Sequence, residues 1–91
     1  MNNDETRLVL RTLFYQWASF VAADLHDSTI DRYRWHLLTI EGNERDRSFA
    51  RRLHLEADRA AEVRFRMCWR MLAWIFDFAL LKAEETCPAS E

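Results

Sequence analysis

Nearly half of the chain, from Glu44 to Thr86, contains neither glycine nor proline. The whole sequence of 91 residues has one of each, Gly42 and Pro88. Both residues are unfavourable inside helices, and strand-rich chains use them at their turns. The sequence therefore predicts an all-α fold, a small helical bundle of three helices with short connections, formed by residues 1–91 as a single domain.

The first helix is predicted over about residues 4–25. Asn2 followed three residues later by Glu5 resembles a capping box at its start. At about 100° per residue, the apolar side chains of this segment fall on one face, as expected for an amphipathic helix. These side chains are Val9, Leu10, Leu13, Phe14, Trp17, Phe20 and Val21.

A second, shorter helix is predicted over about residues 28–40. Its core stripe consists of Ile30, Tyr33, Leu37 and Ile40. Trp35 and Leu38 point away from this stripe, so we expect the second helix to contact two surfaces. Gly42 is suited to the left-handed position that follows a helix.

A single long helix is predicted over about residues 44–86. Asn43 can cap its start, and Pro88 marks its end. The apolar residues of its two halves keep one phase, which a break between two helices would normally reset. This predicted core face comprises Phe49, Ala50, Leu53, Ala57, Ala60, Met67, Cys68, Met71, Ile75 and Phe78. The alternative is a break near residues 55–58, where Asp58 could cap a separate helix.

The length of this helix predicts an elongated shape. It would measure about 60 Å at about 1.5 Å per residue, whereas a globule of such a chain is only about 30 Å across. The two shorter helices would lie end to end and cover only one side of the long helix. A second copy usually completes such a layer, so the sequence predicts a homodimer.

After Val63 the predicted long helix is apolar on most of its sides. Beyond the core face there is a second apolar stripe, consisting of Phe65, Trp69, Leu72, Phe76 and Leu80. The first two helices, a second copy or a different protein could cover this stripe. Because aromatic residues are enriched in interfaces, we favour self-association through it.

Five arginines fall along one edge of the predicted long helix: Arg45, Arg52, Arg59, Arg66 and Arg70. One interpretation is a solvated face with pairs such as Arg52–Glu56, four residues apart. The other is a partner-binding surface, which we take as the candidate site for another protein. Phosphates of a nucleic acid are the weaker alternative, because the neighbouring acids Asp58 and Glu62 oppose them.

No arrangement typical of catalysis stands out in the sequence. His26, His36 and His54 lie in three separate segments, without the spacing of metal ligands. We therefore expect no catalytic residue, no metal and no cofactor. Asp24 and Arg64 each interrupt an apolar stripe, which predicts a buried structural ion pair between them.

The sequence also bears on cellular location. The amino terminus is polar and acidic, so no signal peptide is predicted. The most apolar stretch, residues 65–81, contains Arg66, Arg70 and Asp77, which argues against a membrane span. Two cysteines do not form a disulfide framework, so we expect a cytoplasmic protein.

These features favour a small non-enzymatic protein–protein interaction module, which regulates or inhibits a partner protein. Small phage-encoded inhibitors of host defence, immunity proteins and antitoxins have this size and this lack of catalytic motifs. The net charge of −2 gives no general argument for nucleic acid. The alternative function is a nucleic-acid-associated helical dimer that uses the arginine edge on phosphates.

Overall fold

The computed structural model describes residues 3–86, which form four α-helices and no strand. The helices are α1 (Asn3–Val21), α2 (Asp27–Leu38), α3 (Glu44–Arg59) and α4 (Val63–Thr86). The all-α prediction is thereby confirmed, but the predicted count of three helices is not. None of these four helices has a stretch apolar enough to cross a lipid bilayer. Two predicted end signals, Asn2 and Pro88, lie outside the described residues.

The predicted long helix is divided at residues 60–62 into α3 and α4. The backbone of Ala60 is extended, with φ −67° and ψ 128°, and its N–H closes the last turn of α3. The carbonyl of Glu62 then accepts a hydrogen bond from the N–H of Arg66, which begins α4. The break therefore lies beyond the alternative at residues 55–58, which belong to α3.

Burial of apolar surface explains why the chain reverses where no glycine or proline requires it. Because α4 runs back along α3, the two helices pack together and Ala50, Leu53 and Ala57 of α3 are buried. In a continuous helix this side of α3 would stay in water. The fold would then lose the free energy of burying it, about 25 cal/mol per Å² of apolar surface. The break gives up only a few helical hydrogen bonds, each with a net contribution of about 1 kcal/mol.

Helix α4 lies at the centre of the fold, with α1 and α3 antiparallel to it on opposite sides. The contacts of α1 reach one side of α4, at Arg64 and Cys68. The contacts of α3 reach the other side, at Asp77 and Glu84. The resulting extents are 42 × 24 × 20 Å, so the predicted elongated shape of about 60 Å is wrong.

Helix α2 covers a third side of α4 through aromatic contacts. The ring centroids of Tyr33 and Trp69 are 6.1 Å apart, and those of His36 and Phe76 are 5.4 Å apart. The core lies where these helices meet. Its buried side chains are Leu10, Phe14, Trp17, Val21, Leu37, Ala50, Leu53, Ala57, Cys68, Leu72, Ala73, Ile75, Phe76, Ala79 and Leu80.

Asp46 holds the connection between α2 and α3. Its carboxylate accepts hydrogen bonds from the backbone N–H groups of Glu41 at 2.8 Å and Gly42 at 3.0 Å, and contacts His36 Nε2 at 3.3 Å. Burial alone would raise the pKa of Asp46, but these hydrogen bonds outweigh it and lower the pKa. The predicted cap of α3 at Asn43 is confirmed. Gly42 has the expected positive φ of 84°, but it is not the C′ residue of α2, because α2 ends at Leu38 with Thr39 as its cap.

Candidate partner-binding surfaces

An open groove of about 760 Å³ lies between α1 and α2. Its floor is apolar, because Leu10 and Phe14 of α1 meet Leu37 of α2 there. Helix α2 packs against both α1 and α4, and the ring centroids of Trp17 and Tyr33 are 6.0 Å apart. The small side chain of Ala18 nevertheless does not fill the space between α1 and α2. Apolar clefts of this size are typical binding sites.

Two aromatic side chains lie exposed at this groove. Trp35 of α2 is 72% exposed, and Tyr15 of α1 is nearly as exposed. The charged groups beside them are Arg11 and the Arg34–Asp31 pair, whose nearest atoms are 3.5 Å apart. Tryptophan, tyrosine and arginine are the residues that most often carry the binding energy of protein interfaces.

A smaller hollow of about 380 Å³ continues the groove toward the start of α1. Leu10, Leu37 and Leu38 line both spaces, which makes them one surface. At the far end, Thr6 Oγ1 is buried and has no hydrogen-bond partner among the described residues. From Thr6 to Ala18 this surface follows α1 for about 18 Å, at about 1.5 Å per residue. We call this surface the α1–α2 groove.

The sequence did not predict this groove, although it indicated that α2 would contact a second surface. The orientation of Trp35 and Leu38 away from the core stripe of α2 was the available signal, and both residues do line the groove. The contribution of α1 could not be recognised. Leu10 and Phe14 belong to the apolar face of α1 in any case. Whether α2 covers them completely or leaves an open groove above them depends on tertiary packing, which the sequence does not show.

The five predicted partner-binding arginines do not form one edge. Arg45, Arg52 and Arg59 are exposed and seven residues apart, so they share one side of α3. They belong to no ion pair among residues 3–86. Arg66 and Arg70 lie on α4, which runs in the opposite direction after the break.

Arg70 belongs to a polar network between α3 and α4. Its guanidinium donates to Asp58 and, at 2.8 Å, to Nδ1 of His54. The Nε2 of His54 lies 2.7 Å from the carboxylate of Asp77 and donates to it. Because each ring nitrogen of His54 has one defined partner, the network orients this side chain. Sequence reasoning missed the network, since its members are distant in the chain and meet only in the antiparallel pair.

The predicted self-association stripe lies mainly inside the chain. Leu72 and Phe76 are fully buried and Leu80 nearly so, while Phe65 and Trp69 are half-buried. This corrects the assignment of Leu72 and Phe76, because a second copy cannot reach side chains that are fully buried. Ring contacts from α2 to Trp69 and Phe76 supply a cover that the sequence did not reveal. The opposite face of α4 is exposed instead. It carries Val63, Met67, Trp74 and Leu81, each between 52% and 60% exposed.

Asp24 and Arg64 lie next to each other, with 2.7 Å between the carboxylate and guanidinium atoms. The guanidinium also lies 6.0 Å from the ring centre of Phe20. The pair is not buried as expected, because 55% of the Arg64 side chain and 24% of the Asp24 side chain are exposed. Asp24 follows the end of α1 at Val21, and the exposure of both side chains to water weakens their attraction.

Within residues 3–86, no three His, Cys, Asp or Glu side chains come together in a way that could hold a metal ion. Comparison with known proteins gave no further assignment. No protein-family model matches the sequence, and no curated protein and no solved structure matches it either.

Proposed function

We propose that this protein is a small non-enzymatic regulator that binds a partner protein and blocks the segment it binds. The α1–α2 groove is the docking site, and its occupant is an amphipathic helix of the partner with apolar residues on one face and acidic residues beside them. The observation that carries this proposal is Trp35, a large aromatic side chain 72% exposed beside an apolar groove.

The dimensions of the groove support a helix as its occupant. Its length of about 18 Å corresponds to about three helical turns of 5.4 Å each. Helices dock in such grooves through apolar side chains at positions i, i+3 or i+4, and i+7. Leu10, Phe14 and Leu37 form an apolar floor for these side chains.

The charges beside the groove support acidic residues in the partner. Four cationic side chains line the two joined spaces, against two acidic ones, Asp31 and Glu41. The cationic residues are Arg7, Arg11, Arg34 and Lys82. Asp31 is already paired with Arg34, at 3.5 Å. An excess of positive charge at the rim attracts an acidic segment and increases its rate of association.

A displayed library of amphipathic helical peptides tests this proposal directly. Peptides are selected on the wild-type protein, and we expect enrichment of apolar residues at helical spacing with flanking Asp or Glu. The selected peptides should bind Trp35→Ala at least tenfold more weakly, which corresponds to about 1.4 kcal/mol. Trp74→Ala, an equally drastic change on the exposed face of α4, is the matched control and should bind as wild type does.

Two results would refute the docking site. One is selection of no peptide above the background of the Trp35→Ala protein. The other is equal loss of binding in Trp35→Ala and Trp74→Ala, since an unspecific effect would then explain both. Chemical-shift changes on peptide binding should be confined to α1, α2 and the end of α4 that lines the groove.

A second candidate function is nucleic-acid binding by α3. It is favoured by Arg45, Arg52 and Arg59, which form an exposed row with no ion pair among residues 3–86. Three phosphate contacts predict that log K falls with log salt with a slope of about −3. Fluorescence anisotropy with a short DNA duplex at several salt concentrations measures this slope. Absence of binding at low salt removes this candidate.

A further inference from the structure

The outer face of α4 is the largest exposed apolar feature of a single helix in the described chain. It consists of the exposed side chains of Val63, Met67, Trp74 and Leu81 together with Met71 and Phe78, which are half-buried against the core. Four of the nine large apolar side chains that are exposed within residues 3–86 belong to it. Since α1 and α3 flank α4 and α2 covers the opposite side, no described helix lies over this face.

The spacing along this face is that of a helix–helix seam. Met67, Met71, Trp74, Phe78 and Leu81 follow one another at intervals of four, three, four and three residues. This alternation defines the contact positions of a heptad repeat, in which two helices pack their side chains into each other's gaps. From Met67 to Leu81 the seam is about 21 Å long. The face can therefore pack against another helix that has apolar residues at the same heptad spacing.

The same face is complementary to itself. Around a two-fold axis at Trp74, an antiparallel copy places Met67 opposite Leu81 and Met71 opposite Phe78. We propose that the outer face of α4 is a self-association surface, which pairs antiparallel with the outer face of α4 in a second copy. None of its residues lines the α1–α2 groove, so this proposal does not depend on the proposed function.

The charges at the edge of this face support a second copy as its partner and an antiparallel arrangement of the two helices. Arg70 and Asp77 are seven residues apart on the α3 side of the face, and their midpoint falls within one residue of Trp74. An antiparallel copy therefore places each Arg70 opposite the Asp77 of the other, twice across the axis. A parallel copy would place the two Arg70–Asp77 edges on opposite sides of the seam, where they could not pair with each other. Arg70 and Asp77 also bind within the chain, but a guanidinium has five N–H donors and a carboxylate several acceptor sites.

The size of the face predicts a weak dimer. A strip about 27 Å long and about 10 Å wide gives a footprint of roughly 300 Å² per copy. Stable interfaces bury about 800 Å² per partner, so we expect association in the micromolar range or weaker. The dimer should therefore depend on concentration rather than persist at high dilution.

Sedimentation equilibrium of the full chain from about 10 μM to about 1 mM tests the surface. The wild-type mass should rise with concentration from 11.0 kDa toward twice that value. Trp74→Glu should weaken association at least tenfold, because it places a charge at the axis. Trp35→Glu is the matched control, with the same change at an exposed tryptophan outside the face, and should associate as wild type does. Circular dichroism checks that both variants are folded.

Cysteine cross-linking tests the direction of pairing, in a background with Cys87→Ser. Trp74→Cys lies at the axis and should give a disulfide-linked dimer on oxidation. In an antiparallel dimer the two cysteines of Val63→Cys lie far apart, so this variant should not cross-link. In a parallel dimer both Trp74→Cys and Val63→Cys would cross-link. The proposal is overturned by a wild-type monomer at 1 mM, by association that survives Trp74→Glu, or by cross-linking through Val63→Cys.

Discussion

The indole N–H of Trp17 donates a hydrogen bond of 2.9 Å to the backbone carbonyl of Cys68. Trp17 is fully buried, and its ring lies 5.3 Å from that of Phe14 and 6.0 Å from that of Tyr33. The side chain of Trp17 in α1 thus contacts both α2 and α4. Burial also raises the pKa of the Cys68 thiol, which keeps this side chain an unreactive part of the core.

Replacement of Trp17 by Ala should lower the free energy of unfolding by about 3–5 kcal/mol, because it removes a fully buried aromatic side chain. Trp17→Phe should have a smaller effect of about 1–3 kcal/mol, since it keeps most of the apolar contact and loses the hydrogen bond. Urea denaturation measures both. Trp35→Ala is the matched control, expected within about 0.5 kcal/mol of wild type because Trp35 is exposed.

Much of the fold could be predicted from local signals. The helical character, the cap at Asn43 and the left-handed Gly42 depend on neighbouring residues, and the sequence contains those residues. The reversal at residues 60–62 does not depend on such a signal. Alanine is compatible with both helical and extended backbone. The apparent continuity of the apolar phase was misleading, because Met67, Met71 and Phe78 lie on the outer side of α4, whereas Leu72 and Phe76 are fully buried.

The candidate surfaces were harder to predict, for a related reason. A helix with apolar residues on two faces shows in its sequence that one face needs an extra cover, but not which face. In α4 the ring of Trp69 meets Tyr33 and is half-buried, whereas Trp74 on the opposite side stays exposed. Only the position of α2, set by long-range packing, separates these two tryptophans.

Asp46 should make stability depend on acid pH. Its pKa in the folded protein is below the ordinary value of 3.8, so the unfolded chain binds the proton more readily. The contribution of Asp46 is fully present above that ordinary value and is lost as pH falls through the folded pKa. Asp46→Asn should therefore cost about 1.5–3 kcal/mol at pH 6, and this difference should shrink below about pH 4.

Urea denaturation of wild type and Asp46→Asn between pH 6 and pH 3 measures this difference. Asp31→Asn is the control, because Asp31 is exposed in a surface pair with Arg34 and should change stability by less than about 0.5 kcal/mol. A constant difference between wild type and Asp46→Asn across the whole pH range would show that the charge of Asp46 has no special role.

The Asp24–Arg64 pair should contribute little to stability, although its atoms are 2.7 Å apart. More than half of the Arg64 side chain is exposed, and exposed pairs contribute about 0.2–1 kcal/mol. A double-mutant cycle with Asp24→Asn and Arg64→Gln isolates this coupling energy. A coupling of about 3 kcal/mol or more would indicate a desolvated pair, and the exposure described above would then be incorrect.

Proline scanning should distinguish the helix pair α3–α4 from one continuous helix. Ala61 lies in the break, donates no backbone hydrogen bond among the described residues, and follows Ala60, whose extended backbone suits a residue before proline. Ala61→Pro should therefore change the free energy of unfolding by less than about 1 kcal/mol. Ala18→Pro, within α1, should cost about 3 kcal/mol or more, because it removes a helical hydrogen bond. Equal losses in the two variants, measured by urea denaturation, would mean that residues 60–62 are helical in solution.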